Sequence, residues 1–291
     1  MRELDLSALQ IFKTVAEEGG ITRAAAKLHR VQSNVTTRVK QLEAMLGTPL
    51  FLRQRRKVVL SPEGKALLGY ADRLLRLSSE AQAAVQSGIP RGTLRLGTLE
   101  STAASRLPPI LSRYHLAHPQ VGLELVTGTS GALVAKVLNY EIEAAFVAEP
   151  FPAKNLDSHP AFEEQLVLIA PASFPKIKTP ADIGRRTVIA FTTGCAYRRR
   201  LEDWLGGADV VPDRVMEFGS YHAIVACVSA GAGIAIVPRS VLGAIALKGE
   251  VAVCPLPTRV SKARTLLVWR QGHRSTALDA MRAQLAQRKR Q

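Results

Sequence analysis

The sequence predicts an all-α winged helix-turn-helix domain at the N-terminus, a long linker helix, and an α/β domain at the C-terminus. Three observations predict this fold class. The first sixty residues carry helical apolar spacing in three short pieces, followed by two strand-like runs. Residues 61–87 carry a heptad pattern, and residues 93–291 alternate strand-like and helix-like segments. The length of 291 residues fits two compact domains.

The composition is that of a basic globular protein. Lys and Arg number 39 against 24 Asp and Glu, so the formal net charge is +15. Such an excess favours a polyanionic partner. Apolar residues make up 47 % of the chain and aromatic residues 5 %, which excludes collagen-like, low-complexity and largely disordered proteins.

The cysteines and histidines predict neither a disulfide framework nor a metal site. Cys195, Cys227 and Cys254 are odd in number and widely spaced, and the six histidines are scattered. The N-terminus has no apolar signal segment, and the longest apolar tract, residues 223–238, is too short to span a bilayer comfortably. We therefore expect a cytoplasmic protein that uses no membrane, metal or cofactor.

The first three helices are predicted from apolar positions three and four residues apart. The first ends at Gly19-Gly20, where glycine can adopt the left-handed cap conformation. The second is very short, and Thr22 is its predicted N-cap. The third stops at Gly47. Its apolar residues, at steps of four, three and four, are Val35, Val39, Leu42 and Leu46.

The face of the third helix opposite its apolar stripe is polar and mostly uncharged. Ser33, Thr37 and Lys40 are on that face, flanked by other amide and hydroxyl side chains. Such a face after two short helices favours a helix-turn-helix, whose second element enters the major groove of DNA. The alternative is an ordinary solvated helix face, and the pattern of this helix alone does not favour DNA recognition over that alternative.

The neighbouring basic residues favour DNA binding. Residues 51–60 contain two strand-like runs around a basic turn, which is how a wing lies along a phosphate backbone. Between Arg23 and Lys57 there are nine basic residues and one acid, Glu43, so the local net charge is 9 − 1 = +8. Basic side chains concentrated in this way suit contacts with DNA phosphates.

The linker helix over residues 61–87 is predicted to start with Ser61 as N-cap and Pro62 in its first turn. Its apolar residues follow steps of three and four, a narrow seam typical of a dimerising helix. Packing of this helix on its own domain is the alternative. The seam consists of Leu67, Tyr70, Leu74, Leu77, Ala81 and Ala84. Residues 88–92 then break the helix as a predicted hinge.

Alternating segments in residues 93–291 predict α/β architecture. Helical stretches are predicted at Ala132–Leu138, Ala196–Leu205 and Tyr221–Ala230. The predicted strands are Leu94–Leu99, Val121–Val126, Ala144–Ala148, Gln165–Ala170, Thr187–Phe191, Ile234–Val237 and Thr265–Trp269.

Short segments between about residues 4 and 65 form a specific pattern. They are Ile21–His29, Gln32–Thr36, Gln41–Glu43, Leu46–Phe51, Arg53, Arg56, Leu60–Pro62 and Gly64. This pattern resembles the LysR-type transcriptional regulators. Residues 226–238 resemble the effector domain of the same family, so the resemblance covers nearly the whole chain. Residues 100–103 and 194–198 are similar to the branch that regulates putrescine, glutamate or related amine metabolism.

The resemblance implies which side chains meet DNA. Val31 stands where many members have a capping Ser, so we expect the recognition helix to start later, with Ser33 as its cap. Side chains expected to face bases are Gln32, Ser33, Asn34, Thr36 and Thr37. Those expected to hold phosphates are Arg38, Lys40, Arg53 and Arg56, and Arg23 and Arg30 complete the predicted DNA-binding set.

The resemblance also implies a periplasmic-binding-protein-like effector domain with two α/β lobes. Lobe I is expected at about 93–161 and 268–291, and lobe II at about 162–267. A small molecule between the lobes would lie beyond the strand ends, where helix N-termini suit an anionic group. Plain helix N-caps are the alternative for each hydroxyl residue. The predicted effector contacts are Ser101, Thr102, Thr129, Ser130, Cys195, Ala196, Tyr197, Arg198 and Tyr221.

The leading hypothesis is therefore a regulator, not an enzyme, that binds promoter DNA at an inverted repeat as a homodimer through the linker helix. The resemblance implies tetramers as well. One alternative is a redox sensor, in which Cys195 lies near a helix N-terminus and Arg198 but has no resolving cysteine shortly downstream. A solute receptor of a transport system is less consistent with the missing signal segment and leaves the N-terminal sixty residues unexplained.

Overall fold

The structure is a computed structural model that describes residues 3–54, 57–85, 88–184, 186–245 and 251–288. The chain forms two compact units, residues 1–87 and residues 88–291. Within the described residues, no helix has the length and apolar content that a membrane crossing requires.

The first unit contains three helices, a strand pair and a long helix, in the predicted order. The two strands pair antiparallel, with Phe51 opposite Leu60. Leu9, Phe12 and Val35 are fully buried, so the apolar stripes of the short helices form the core. The elements are α1 (Leu6–Glu18), α2 (Ile21–Lys27), α3 (Gln32–Leu46), β1 (Phe51–Gln54), β2 (Lys57–Leu60) and α4 (Pro62–Val85).

The starts of two helices differ from the prediction. Helix α2 begins at Ile21 with Gly20 as N-cap, so Thr22 is already inside the helix. Helix α3 begins at Gln32 with Val31 as an extended N-cap and no side-chain cap bond. The later start with Ser33 as cap is therefore wrong. The Val31 carbonyl accepts from the backbone N–H groups of Asn34 and Val35, at 3.1 and 3.3 Å, so the backbone starts the helix without a side-chain cap.

The predicted ends of α1 and α3 and the start of α4 are confirmed. Gly19 and Gly47 follow α1 and α3 in the left-handed conformation, at φ +63° and +69°. The Ser61 hydroxyl accepts from the Gly64 N–H at 2.9 Å and donates to the Pro49 carbonyl at 2.8 Å. The cap of α4 is thereby tied to the segment before β1.

Helix α4 uses only part of its apolar surface inside its own unit. Ala71 is fully buried, and Leu67 packs beside it, although the prediction placed Leu67 on the dimer seam. The next seam residues, Tyr70, Leu74 and Leu77, are exposed. The side chain of Ala84 lies outside the described residues. Most of the described seam is therefore not used by packing within the unit.

The second unit is α/β, as predicted. Its strands are β3 (Gly92–Thr98), β4 (Val121–Thr127), β5 (Ala144–Ala148), β6 (Leu156–Pro171), β7 (Val188–Phe191), β8 (Val215–Phe218), β9 (Ala235–Pro238), β10 (Val251–Pro255) and β11 (Lys262–Arg270). Its helices are α5 (Glu100–Ser105), α6 (Pro108–Ala117), α7 (Ser130–Leu138), α8 (Ala196–Gly206), α9 (Tyr221–Ser229), α10 (Arg239–Ala244), α11 (Thr258–Ser261) and α12 (Thr276–Arg288).

The long strand β6 belongs to two sets of strands. Leu156–Gln165 pairs with β11, which continues through β5 and β3 to β4. Leu166–Pro171 pairs instead with β9 and β10. A parallel pair, β7 and β8, adjoins β9 through a bridge between Val188 and Ile234. Strands β3, β4 and β5 run parallel, so their carboxyl ends lie at one edge.

Candidate functional sites

The N-terminal part of α3 presents polar side chains to solvent. Gln32, Ser33, Asn34 and Thr37 are exposed, while Val35, Val39 and Leu42 are buried against α1 and α2 or the strand pair. Thr36 is only half-exposed, and its hydroxyl donates to the Gln32 carbonyl at 2.9 Å. The amide and hydroxyl groups of four of the five predicted base-facing residues are therefore free to meet another molecule.

The basic residues of the predicted DNA-binding set have three different positions. Arg30, Arg38 and Lys40 are exposed. Arg23 donates from Nε to the Glu18 carbonyl at 2.6 Å, so its side chain lies against the end of α1. The side chain of Arg53 and the whole of Arg56 lie outside the described residues.

Glu43 is a further residue of this unit that the sequence reasoning treated only as a charge. Its carboxylate accepts from the backbone N–H groups of Leu50 and Phe51, at 2.7 and 3.2 Å. These bonds fasten the start of β1 to α3 and so set the position of the strand pair beside the polar face. The isolated acid in a run of nine basic residues is the signal that could have singled it out.

The second unit contains a pocket at the carboxyl ends of its strands. The pocket is narrow, with room for about one water molecule. Segments that follow β3, β4 and β7 meet there with the first residues of α5, α8 and α9. The lining residues are Leu99, Glu100, Ser101, Gly128, Thr129, Ala148, Phe191, Cys195, Ala196, Tyr197 and Tyr221.

The structure brings six of the nine predicted effector residues into this pocket. They are Ser101, Thr129, Cys195, Ala196, Tyr197 and Tyr221. Four chain segments far apart in sequence thus contribute to one cavity.

The other three predicted residues have different positions. The buried Ser130 hydroxyl exchanges hydrogen bonds with the backbone of Ala148, at 3.0 and 3.1 Å, and so joins α7 to β5. Thr102 is buried in α5 away from the lining. Arg198 pairs with Glu202 and Glu217 instead of reaching the pocket.

Two lining residues that the prediction did not include are Glu100 and Phe191. Glu100 Oε1 accepts from the Tyr221 N–H at 3.3 Å, and Oε2 is buried without a hydrogen-bond partner. Burial raises the pKa of the Glu100 carboxyl, although the Tyr221 N–H and the charge of His222 oppose the shift. Phe191 stacks on Tyr221 with ring centroids 5.0 Å apart. Glu100 immediately precedes Ser101 and Thr102, which is the signal that could have identified it.

The environment of Cys195 does not favour a redox role. Its Sγ lies 3.8 Å from the Tyr221 hydroxyl oxygen. Burial raises the pKa of the Cys195 thiol and outweighs the N–H groups of Arg198 and Tyr197. A raised pKa disfavours the thiolate, which is the reactive form. Burial raises the pKa of the Tyr221 hydroxyl as well, so both groups are neutral at physiological pH.

The charge of the pocket differs from the predicted preference for an anion. Glu100 is the one charged side chain among the eleven lining residues, and none of them is basic. A carboxylate repels an anionic group placed next to it. The lining therefore weighs against an anionic effector group near α5.

Comparisons with known proteins match both units. Residues 6–65 match the family described as bacterial regulatory helix-turn-helix protein, lysR family, and residues 87–290 match the LysR substrate binding domain. The chain is 42 % identical over 264 residues to the uncharacterized HTH-type transcriptional regulator YusT of Bacillus subtilis (strain 168). That alignment covers 90 % of this chain and 88 % of YusT.

Two solved structures have the same fold. A full-length OxyR variant from Pseudomonas aeruginosa aligns with TM-score 0.73 and 22 % identity, over 98 % of this chain and 95 % of that one. Full-length CbnR in complex with its target DNA aligns with TM-score 0.69 and 24 % identity, over 98 % of this chain and 99 % of that one.

Proposed function

Since the chain belongs to the LysR family of DNA-binding transcriptional regulators, we propose that α3 reads promoter DNA and that a small molecule in the pocket of the second unit changes this binding. The observation that carries the proposal is the pocket, in which lining residues come from five separate segments. The family is one of regulators and not of enzymes.

The exposed polar end of α3 supports a role in base recognition. In a helix-turn-helix the N-terminal residues of the second helix contact base edges in the major groove. The Asn34 and Gln32 amides suit the paired donor and acceptor of adenine, whereas Arg38 and Lys40 suit phosphates. Glu43 supports the same role indirectly because it holds the wing beside this helix.

A homodimer through α4 places two such helices on one DNA duplex. Tyr70, Leu74 and Leu77 form an exposed apolar row on α4, and a second copy of the helix would cover it. Two-fold symmetry calls for an inverted repeat with half-sites about one helical turn apart. Pairing of the second units would extend the dimer to a tetramer.

The pocket supports control by a bound small molecule. Its walls come from two parts of the second unit: Ser101 and Thr129 follow β3 and β4 of one set of strands, and Cys195 follows β7, which adjoins β9 of the other set. A molecule that contacts both walls stabilises one relative position of them over another. This shift in the relative position of the walls alters DNA binding by changing the spacing of the DNA-contacting helices.

A gel-shift titration on the intergenic DNA upstream of the gene tests the DNA-binding part. We expect the full-length protein to bind this fragment more tightly than a shuffled fragment of equal length, and more weakly as salt increases. The double variant Gln32→Ala with Asn34→Ala should lose most of the discrimination between the fragments, while Ser79→Ala, on the exposed surface of α4, should keep it. Equal affinity of the native protein for both fragments would contradict the proposal.

A further inference from the structure

Glu100 in the pocket has one satisfied and one unsatisfied carboxylate oxygen. Oε1 accepts the Tyr221 N–H, whereas Oε2 is shielded from solvent and has no hydrogen-bond partner. A buried acceptor without a donor costs free energy, and more so when it carries charge. A ligand that brings a donor to Oε2 removes this cost.

The charges around Glu100 favour a cationic donor. None of the other ten lining residues carries a charge. The nearby cation Arg198 is not among the lining residues and is paired with Glu202 and Glu217. An ammonium group has three donors and no acceptor, and the hydroxyls of Ser101 and Thr129 offer further acceptors along the same lining.

The aromatic residues that line the pocket also favour a cationic ligand. The rings of Phe191 and Tyr221 lie nearly parallel, at 19°, and both line the pocket. The face of an aromatic ring attracts cations.

The rest of the lining limits the size and character of the ligand. Leu99, Ala148 and Ala196 are apolar, and the pocket has room for about one water molecule, so its walls move apart when a ligand enters. A chain of a few methylene groups fits these walls better than a large polar molecule.

We propose that the pocket binds a small aliphatic molecule with a protonated amino group, and that Glu100 pairs with this group through Oε2. The inference rests on the proposed function because it names the chemical class of the effector at the same pocket. It assigns Glu100 as the residue that distinguishes amines from neutral or anionic molecules of the same size.

Thermal unfolding of the full-length protein with three matched probes tests this assignment. The probes are n-propylammonium chloride, propan-1-ol and sodium propionate at pH 7.5, all at the same ionic strength. We expect only n-propylammonium to raise Tm, because binding to the folded state stabilises it by mass action. In Glu100→Gln the apparent Kd for n-propylammonium should rise about tenfold, since the amide lacks the charge. Glu141→Gln makes the same change at a half-buried acid that is paired with Lys136 outside the pocket, and it should keep the native response.

Three results would overturn the amine assignment. A rise in Tm with propionate alone would mean that the pocket takes anions. An equal n-propylammonium response in Glu100→Gln would mean that the amine binds elsewhere. The absence of a response to n-propylammonium would mean that the pocket does not accept an alkylammonium ion. Gel shifts on the same samples report separately on DNA binding, so none of these results removes the proposed regulator function.

Discussion

At the scale of single residues, two carboxylates have different tasks. Glu43 accepts two backbone N–H groups, and both come from the residues that open the strand pair. Glu100 accepts one N–H and keeps its second oxygen without a partner inside a cavity. Glu43 therefore supports the structure, whereas Glu100 is available to a ligand.

Removal of the Glu43 carboxylate should destabilise the first unit. In Glu43→Ala the N–H groups of Leu50 and Phe51 lose their acceptor, and we expect the free energy of unfolding to fall by about 1 to 3 kcal/mol. Urea unfolding followed by circular dichroism measures the change. Glu43→Gln, which keeps an acceptor oxygen, should lose less. Equal losses in the two variants would show that the hydrogen bonds do not matter.

The raised pKa of Glu100 predicts a pH-dependent gain in stability on its replacement. For an acid with a folded-state pKa above its ordinary value of 4.5, the favourable contribution is present below that value and is lost as pH rises through the folded-state pKa. Glu100→Gln should therefore unfold about 1 °C above the native protein at pH 7. Differential scanning calorimetry should show this gap closing below about pH 4.5. A difference in Tm that widens towards acid pH would mean that the pKa of Glu100 is lowered in the folded protein, not raised.

At the scale of elements, some helix ends can be predicted from the sequence, whereas other helix starts and the packing of helix surfaces cannot. The αL glycines after α1 and α3 could be read from the sequence because they are local features. The start of α3 could not, because the extended backbone at Val31 supplies the first carbonyl without any side-chain cap. On α4, apolar spacing alone could not separate Leu67, which packs inside its unit, from the exposed Leu74.

A charge on the exposed row of α4 should weaken dimerisation without unfolding the unit. Leu77 is 46 % exposed, so Leu77→Asp costs little in the single chain but places a charge in the proposed helix pair. Analytical ultracentrifugation should show dissociation at a protein concentration at least about tenfold higher than for the native chain. Ser79→Asp adds the same charge on the opposite side of α4 and should leave the dimer intact. If Leu77→Asp dissociates at the same protein concentration as the native chain, dimerisation through this row of α4 is contradicted.

An ion pair joins α5, β6 and α10 beside the pocket. Arg106 Nε donates to Glu164 Oε1 at 2.7 Å, and the Ser240 hydroxyl donates to Oε2 at 2.8 Å. Because Glu164 is 5 % exposed, Arg106→Ala leaves a buried carboxylate largely uncompensated. We expect a loss of about 3 kcal/mol in the free energy of unfolding by urea. The second change Glu164→Gln should recover part of it, and no recovery would contradict this explanation.

At the scale of the whole molecule, the charge is spread more evenly than DNA binding alone requires. Residues 1–90 contain 14 basic and 8 acidic side chains, net 14 − 8 = +6, and residues 91–291 contain 25 and 16, net 25 − 16 = +9. The structure gives no account of the surplus in the second unit. The concentration of +8 between Arg23 and Lys57 is what singles out the first unit.

The position of a basic residue should therefore decide its effect on DNA affinity. In Arg38→Ala, one phosphate contact per protomer is lost, so the slope of log K against log salt should fall by about 2 for the dimer. Fluorescence anisotropy over a salt series measures the slope. Arg214→Ala removes the same charge from an exposed position of the second unit and should leave the slope unchanged. Equal effects of the two variants would mean that net charge alone governs binding.

The sequence by itself determined the order of the elements in the first unit, the wing, the cap of α4 and the family, because these depend on short-range spacing and on motifs a few residues long. It also identified four of the five segments that line the pocket. Tertiary structure alone decided which neighbouring side chain within a segment faces the cavity. Thr129 lines it while Ser130 holds Ala148, and Glu100 lines it while Thr102 does not. Such choices depend on packing between residues 18 to more than a hundred positions apart, as does the shared strand β6, and local spacing carries no information about them.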